Sequence, residues 1–233
     1  MLNYSTSEEN YIKTIYHLQN GQNTVSTNAL AEKLSTRPAS VTDMMKKLKT
    51  KKLLHYQPYQ GFRLSNEGKK VALDIIRRHR LWEYFLAEKL KFKWDEVHAV
   101  AEDLEHVSSK KLIDKLDEYL GYPKFDPHGD PIPDSLGKMD SSRQISLTEL
   151  PVNQPAEVCR VINQSDEMLE LLQHKKITIG TRLEVKKKFG FDRSIEIKLK
   201  QSKGALQRSP HGPSGQPPFL ISEQLAKNIF VTL

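Results

Sequence analysis

Cysteine is nearly missing from this chain of 233 residues, and long apolar runs are missing altogether. The single cysteine, Cys159, cannot form an internal disulfide and has no second cysteine nearby to complete a zinc knuckle. No run of about 18 apolar residues occurs, and the opening MLNYSTSEEN lacks the basic and then apolar stretches of a secretory signal. We therefore expect a cytoplasmic protein without thiolate metal chemistry and without a membrane partner.

Acidic residues are scarce in the N-terminal part of the chain, and basic residues are scarce in the middle. The whole chain carries a net charge of +7. Residues 1–93 hold 17 basic and 8 acidic side chains, a net +9, whereas residues 94–142 hold 5 and 12, a net −7. A basic block attracts a phosphate backbone, although moderately basic surfaces also occur without any nucleic-acid role.

The N-terminal third has the element order of a winged helix. An apolar series between Tyr11 and Leu18, preceded by Thr6 and Ser7 as caps, predicts a first helix that ends near Gly21. VSTNALAEKL predicts a short second helix capped by Ser26 or Thr27, and a third helix runs through VTDMMKKLKTKKL after the turn STRPAS. LLHYQPYQGFRLSNEGKK then predicts a β-hairpin around Pro58–Gly61.

The remainder of the chain predicts long helices followed by a small β domain. One helix starts at Glu67, and a second runs from Trp94 to about Leu120. FDPHGDPIPD is too rich in Pro and Gly for regular structure and predicts a loop, with a domain boundary near residue 140. Beyond it, EVCRVI, RLEVKKKF, SIEIKLKQ and NIFVTL predict strands, with a helix at about 165–174 and a loop at 202–218. We expect a mainly α protein whose C-terminal part is an SH3-like β-barrel.

The third helix has the composition of a DNA-reading helix. Arg37–Lys52 holds six basic residues against one acidic residue. In a helix-turn-helix the start of the second helix enters the major groove, where small side chains approach base edges and basic side chains hold phosphates. The alternative is a surface helix with solvated lysines. We predict that the following residues contact DNA, the last three through phosphates: Thr27, Thr36, Arg37, Pro38, Ala39, Ser40, Thr42, Asp43, Lys46, Lys47 and Arg63.

The nonapeptide HAVAEDLEH, residues 98–106, has the pattern of a metal-binding helix face. At about 100° per residue, its two histidines and two glutamates share an arc of about 100°, separate from the apolar face. His79 and Glu83 on the preceding helix have i, i+4 spacing. The alternative is a solvated acidic face, but in a lysine-rich chain such a face should mix signs. Carboxylates and imidazoles without thiolate favour Mn²⁺ or Fe²⁺, although Zn²⁺ or Co²⁺ would bind more tightly in vitro.

After the predicted winged helix, the chain contains the patterns HxxxE, HxxxExxEH and PHGxPIP in this order. This combination resembles the diphtheria toxin repressor family of iron- and manganese-dependent regulators. The resemblance covers essentially the whole chain. It implies a winged-helix DNA-binding domain at residues 1–66, a helical dimerisation and metal-binding domain at 67–140, and an SH3-like (FeoA-type) domain at 145–233. It also implies a homodimer that binds a palindromic operator of metal-homeostasis genes.

The resemblance assigns two metal sites. Glu102, Glu105 and His106 match the primary site, together with Asn10 of the first helix. His79, Glu83 and His98 match an ancillary site, to which we assign Gln164 and Glu167 from the third domain.

Three positions depart from the iron or the manganese branch. Glu102 replaces the cysteine of the iron regulators, as in the manganese branch, whereas Asn10 stands in place of Met or Asp. Lys13 stands where the manganese regulators carry a Glu ligand, which argues against a closely spaced binuclear centre of their type. Mn²⁺ is therefore the first choice of metal and Fe²⁺ the second.

Two other functions are compatible with the same residues. Carboxylate and imidazole clusters also build hydrolases and di-iron oxidases, but no nucleophile or separate base accompanies the ligands, and no small-molecule substrate is expected. A winged-helix regulator could also ignore metal and use its acidic helices only to dimerise. The third domain could contribute ligands, bind peptides or pack within the dimer.

Overall fold

The computed structural model describes residues 4–19, 24–57, 61–107, 109–140, 144–200 and 217–233. The chain forms two compact units. The first unit contains Met1–Phe85, Ala99–Lys124 and Ile132–Met139. The second unit contains Leu86–His98, Phe125–Pro131 and Asp140–Leu233. In the described ranges, no helix is long and apolar enough to cross a membrane.

The first unit begins with helix α1, Thr6–Leu18. Its N-cap is Ser5, one residue before the predicted caps, and Ser5 forms a capping box with Glu8. The buried side chains Tyr11, Ile12 and Ile15 form the apolar face of the helix. The predicted end near Gly21 lies outside the described residues.

A helix-turn-helix and a hairpin follow α1, as predicted. Helix α2 spans Thr27–Lys33 with Ser26 as its N-cap, and α3 spans Pro38–Thr50. Helix α3 starts three residues before the predicted Val41, because Pro38 supplies a pre-set φ at the first helical position. Strands β1, Leu54–Gln57, and β2, Gly61–Leu64, pair antiparallel. Of the predicted turn, residues 58–60 lie outside the described residues.

Three further helices carry the middle of the chain: α4, Asn66–Glu88, α5, Val97–Val107, and α6, Lys110–Tyr119. The prediction of one helix from Trp94 to Leu120 is wrong, because Ser109 caps a new helix by accepting a hydrogen bond from the Leu112 N–H. Helix α4 is unusual in that its buried stretch includes basic side chains. Those side chains are Arg77, Arg78, His79 and Arg80.

The proline-rich segment is an ordered loop of the second unit from Phe125 to Pro131. The Asp126 carboxylate accepts hydrogen bonds from the N–H groups of His128 and Asp130, and the His128 ring stacks on Trp94. Gly129 has φ +84°, and a Cβ there would lie 1.8 Å from the carbonyl oxygen of Cys159. Only glycine fits this position, which explains the glycine of PHGxPIP.

The second unit is built around a six-stranded antiparallel sheet. Its strands are β3, Ile145–Ser146, β4, Pro155–Val161, β5, Arg182–Lys188, β6, Ile195–Lys200, β7, Phe219–Ile221, and β8, Ile229–Thr232. Their order in the sheet is β3-β8-β4-β5-β6-β7. Helices α7, Asp166–His174, and α8, Glu223–Lys227, accompany it. The strands β4, β5, β6 and β8 and the helix α7 match the prediction, whereas the short β3 and β7 and the helix α8 were not predicted. The hydrophobic core of the second unit includes Leu147, Leu169 and Ile197, which are all fully buried. Most of the predicted loop at 202–218 lies outside the described residues.

Candidate metal centre and nucleic-acid interface

Helices α1 and α5 of the first unit bring two predicted ligands and a lysine together. The Lys13 Nζ lies 2.9 Å from Glu102 Oε2 and 2.6 Å from Glu105 Oε1. Glu105 is fully buried, and the side chain of Glu102 is 38% exposed. The two carboxylates converge as the helical spacing predicted, and a cation already lies between them.

His79 of α4 joins the same two carboxylates. Its Nδ1 lies 2.7 Å from Glu105 Oε2 and its Nε2 lies 3.0 Å from Glu83 Oε1. His79, Glu102 and Glu105 each offer one possible ligand atom, and these three atoms lie within 4.8 Å of one another. Burial disfavours the imidazolium, but the Glu83 carboxylate and the hydrogen bonds to Glu105 and Glu83 outweigh it and raise the pKa of His79 to about 9.

The carboxyl group of Glu105 is held in its ionised form. Burial alone would raise its pKa, but the hydrogen bond and charge of His79 and the ammonium of Lys13 hold the pKa below its usual value. A carboxylate that is ionised and fully buried is ready to accept a metal cation without first losing a proton.

His106 is oriented by a carboxylate from α1. Its Nδ1 lies 2.6 Å from Glu9 Oε2, and an ionised carboxylate can only accept, so Nδ1 is the donor. In the neutral imidazole the lone pair is then on Nε2. Arg78 fixes Glu9 in turn, donating from Nη2 to Glu9 Oε1 over 2.8 Å and from Nη1 to the main-chain oxygen of Glu105 over 2.5 Å. Carboxylate-to-histidine hydrogen bonds of this kind orient metal-ligating imidazoles.

Two donor atoms among the predicted ligands are buried without a hydrogen bond, and one of them, on His106, lies at this cluster. Among the described residues, His106 Nε2 and Asn10 Oδ1 are buried and have no hydrogen-bond partner. The His106 Nε2 lies 3.3 Å from Glu105 Oε1, so the imidazole lone pair and the carboxylate are close enough to share an ion. Leaving such atoms without a hydrogen bond costs free energy that a bound cation would recover. The carboxylates of Glu102 and Glu105 and the imidazole of His106 therefore fit a divalent ion that prefers oxygen and nitrogen ligands, and the amide of Asn10 stays a predicted ligand.

The residues assigned to the ancillary site are divided between the units. His79 and Glu83 belong to the first unit, whereas His98, Gln164 and Glu167 belong to the second. His98 and Glu167 are exposed, and Gln164 donates a hydrogen bond to the Asp130 carboxylate over 2.8 Å. The ancillary set stays a prediction.

Helix α3 presents one apolar and one exposed face, as a groove-binding helix does. Val41, Met45 and Leu48 are buried at i, i+4, i+7 spacing. Thr27 and Thr36 of the predicted DNA contacts are half-buried. The other predicted contacts are exposed: Arg37, Pro38, Ala39, Ser40, Thr42, Asp43, Lys46, Lys47 and Arg63.

Ion pairs connect this helix to α1. The carboxylate of Glu8 is buried, and its Oε1 lies 3.3 Å from Lys47 Nζ and 2.6 Å from Lys51 Nζ. Burial would raise the pKa of Glu8, but the hydrogen bonds from Lys51, Ser5 and Lys47 lower it to about 2. Lys46 pairs with Asp43 on the exposed face. Lys47 thus has a protein partner as well as its predicted phosphate.

Sequence reasoning missed three members of the metal centre. The sequence identified Lys13 only as a residue that replaces a Glu ligand of the manganese regulators, and it did not identify Glu9 or Arg78 as residues of the site. Glu9 is adjacent to Asn10, and Arg78 is adjacent to His79. The available signal was the run of basic residues RRHR between the apolar pairs of α4, Ile75–Ile76 and Leu81–Trp82, since buried arginines require carboxylate partners.

A winged helix joined to a buried carboxylate and imidazole cluster defines a metal-responsive DNA-binding protein. Family profiles match three successive parts of the chain. Residues 3–62 match the N-terminal DNA-binding domain of the iron dependent repressors, residues 65–134 their metal binding and dimerisation domain, and residues 145–209 the FeoA domain. The chain belongs to the iron-dependent repressor family, and it is a metal-dependent transcriptional repressor.

Individual relatives agree with this assignment. The iron-dependent repressor IdeR of Mycobacterium tuberculosis is 31% identical over 169 residues, 70% of this chain and 73% of the relative. The regulator MntR of Oceanobacillus iheyensis is 34% identical over 151 residues, 65% of this chain and 97% of the relative.

Solved structures confirm the fold class. A manganese-dependent transcriptional repressor in complex with manganese has a TM-score of 0.81 at 30% identity, covering 96% of this chain and 98% of that one. ScaR with bound Cd²⁺ has a TM-score of 0.78 at 28% identity, covering 97% and 98%. Because the relatives are repressors and regulators, the expectation of a regulator and not an enzyme is also confirmed.

Proposed function

We propose that this repressor uses Mn²⁺, or in second place Fe²⁺, as a corepressor that orders a homodimer for binding a palindromic operator of metal-homeostasis genes in the cytoplasm. The observation that carries the proposal is the buried His106 Nε2, which lacks a hydrogen-bond partner among the described residues and lies 3.3 Å from Glu105 Oε1, in the cluster that also contains Glu102. Asn10 Oδ1 of α1 is also buried without such a partner, and we assign it as the fourth ligand. These four residues would hold the ion. Oxygen-rich ligands without thiolate support Mn²⁺ before Fe²⁺, and two recognition helices related by a two-fold axis require a palindrome.

Helix α1 is the element that can couple metal binding to DNA binding. Glu9 of α1 bonds to His106 and is followed by the proposed ligand Asn10, whereas Glu8 pairs with Lys47 and Lys51 of α3. A bound ion supplies positive charge that attracts the donors of α1 and α5 to one another. Holding α1 holds the end of α3 through Glu8, so the recognition helix is pre-organised and the free-energy cost of ordering it on DNA falls.

The proposal predicts DNA binding that requires metal. A promoter fragment from upstream of its own gene or of a metal-transporter gene should be retarded under anaerobic conditions with Mn²⁺ or Fe²⁺ and not with chelator. The double variant Glu102→Ala/His106→Ala should lose the metal effect because it loses two ligands. Asp166→Ala/His174→Ala, an exposed acid and histidine on α7, should behave as wild type. Equal retardation with chelator and with metal would favour the regulator that ignores metal.

A second prediction concerns Lys46 and Lys47, proposed as phosphate contacts. Lys46→Ala/Lys47→Ala should weaken binding to every duplex and reduce the slope of log affinity against log salt by about 1 for each phosphate that is no longer neutralised. The salt dependence is measured by fluorescence anisotropy with a labelled duplex. Lys69→Ala/Lys70→Ala removes two consecutive exposed lysines of α4 and should leave the slope unchanged. An unaltered slope in the first variant would refute the phosphate role.

A further inference from the structure

The metal centre contains its own cation. Lys13 Nζ lies 2.6 Å from the fully buried Glu105 and 2.9 Å from Glu102, and the Lys13 side chain is only 12% exposed. The lysine is on the same helix as Asn10, three residues later, a spacing that makes the two side chains neighbours on the helix surface. An ammonium between two carboxylates satisfies the same charge requirement that a divalent ion would satisfy.

We propose that Lys13 is a built-in competitor for the metal: its ammonium neutralises Glu102 and Glu105 in the metal-free protein and leaves them when a divalent ion binds. This inference rests on the proposed function, because it assumes that these two carboxylates are ligands. Lys13 would hold the two carboxylates in position in the metal-free protein and would lower the affinity of the site for metal. The corepressor would then bind only when metal is plentiful.

Competition follows from charge and space. Lys13 Nζ contacts Glu102 Oε2 and Glu105 Oε1, whereas His79 contacts the other oxygen, Glu105 Oε2. A divalent ion on the two oxygens that Lys13 contacts would take the place of the ammonium and repel it strongly, because the site is buried. Lys13 has a route out of the site, since Glu102 is 38% exposed and a lysine stem can carry its head group to solvent. Glu105 has no such freedom because it is fully buried. The lysine is therefore the movable member of the cluster.

The first test is calorimetric titration of the chelator-treated full-length protein with Mn²⁺ at constant ionic strength. Lys13→Met keeps the length of the side chain and removes the charge, and it should bind Mn²⁺ about tenfold more tightly than wild type, a difference of about 1.4 kcal/mol. Lys13→Arg keeps the charge and should bind no more tightly than wild type. The matched control Lys70→Met removes an exposed lysine paired with Glu67 and should not change the affinity.

The second test uses the wild-type protein, so it does not depend on the folding of a variant. Brief labelling with an amine-acylating reagent, read by mass spectrometry, should modify Lys13 slowly in chelator and faster with Mn²⁺, because the ammonium moves towards solvent. Lys70 should react equally in both conditions. A Lys13 rate that is unchanged or lower with Mn²⁺ would overturn the proposal.

The outcomes separate this inference from the proposed function. Equal or weaker Mn²⁺ affinity in Lys13→Met, with binding still abolished in Glu105→Gln, would overturn the competition and leave the corepressor intact. Binding of Mn²⁺ that Glu105→Gln does not alter would overturn both, because Glu105 would not be a ligand.

Discussion

Glu105→Gln is expected to weaken Mn²⁺ binding by at least about 100-fold and to abolish metal-dependent DNA binding. Even a residue that only orients a ligand is worth about 10- to 100-fold in metal affinity, so loss of a buried charged ligand should exceed that range. Glutamine keeps the shape of the side chain, and Arg78 bonds the main-chain oxygen of Glu105, so that hydrogen bond survives. The affinity is measured by calorimetry, and DNA binding by anisotropy with a saturating concentration of Mn²⁺.

The same helix offers the control for this prediction. Asp103 is exposed and lies between Glu102 and Glu105 in the sequence, so Asp103→Asn removes an equal charge without removing a ligand. It should change Mn²⁺ affinity little, since an exposed charge is screened by water and salt. If Asp103→Asn and Glu105→Gln weaken binding equally, the helix attracts metal only through its net charge, and the assigned site is wrong.

The closeness of two carboxylates of α5 could be predicted from the sequence because helical periodicity places residues on a face, whereas their role as metal ligands stays a prediction. Glu102 and Glu105 converge as the spacing of HAVAEDLEH requires. Periodicity cannot show which residue of another helix approaches that face. Lys13 reaches the carboxylates only through the packing of α1 against α5, and the signs of local charge in the nonapeptide gave no indication of an opposing lysine.

The boundaries and conformations of helices, loops and strands also depend partly on the local sequence and partly on tertiary packing. The break between α5 and α6 has a local signal, a serine at 109 that could cap a helix, but the continuous acidic and apolar pattern concealed it. The Pro and Gly content of FDPHGDPIPD predicted a loop but not its conformation, because Gly129 is required by its close approach to the Cys159 carbonyl, which is distant in the sequence. The long strands β4 to β6 were predicted because they alternate over six or seven residues.

Arg78→Met is expected to cause the largest loss of stability, about 3–5 kcal/mol in the free energy of unfolding of the metal-free protein. Arg78 is 8% exposed and donates to Glu9 and to the Glu105 main-chain oxygen, and its Nε lies 3.3 Å from Asp74. Removing it leaves the buried Glu9 carboxylate with His106 alone. Methionine retains most of the apolar volume, so the loss reports charge and hydrogen bonds. Chemical denaturation in chelator, monitored by circular dichroism, measures it.

A double-mutant cycle identifies the cause of that loss. Glu9→Gln removes the buried negative charge, so Arg78→Met/Glu9→Gln should lose less stability than the sum of the two single variants. Lys70→Met breaks only an exposed pair and should change the unfolding free energy little. Additive losses would show that Arg78 stabilises the protein through Asp74 and the Glu105 carbonyl alone. Coupling of the two changes would show that Arg78 acts through Glu9. Because Glu9 also bonds to His106, a buried arginine of α4 would then orient a proposed metal ligand of α5.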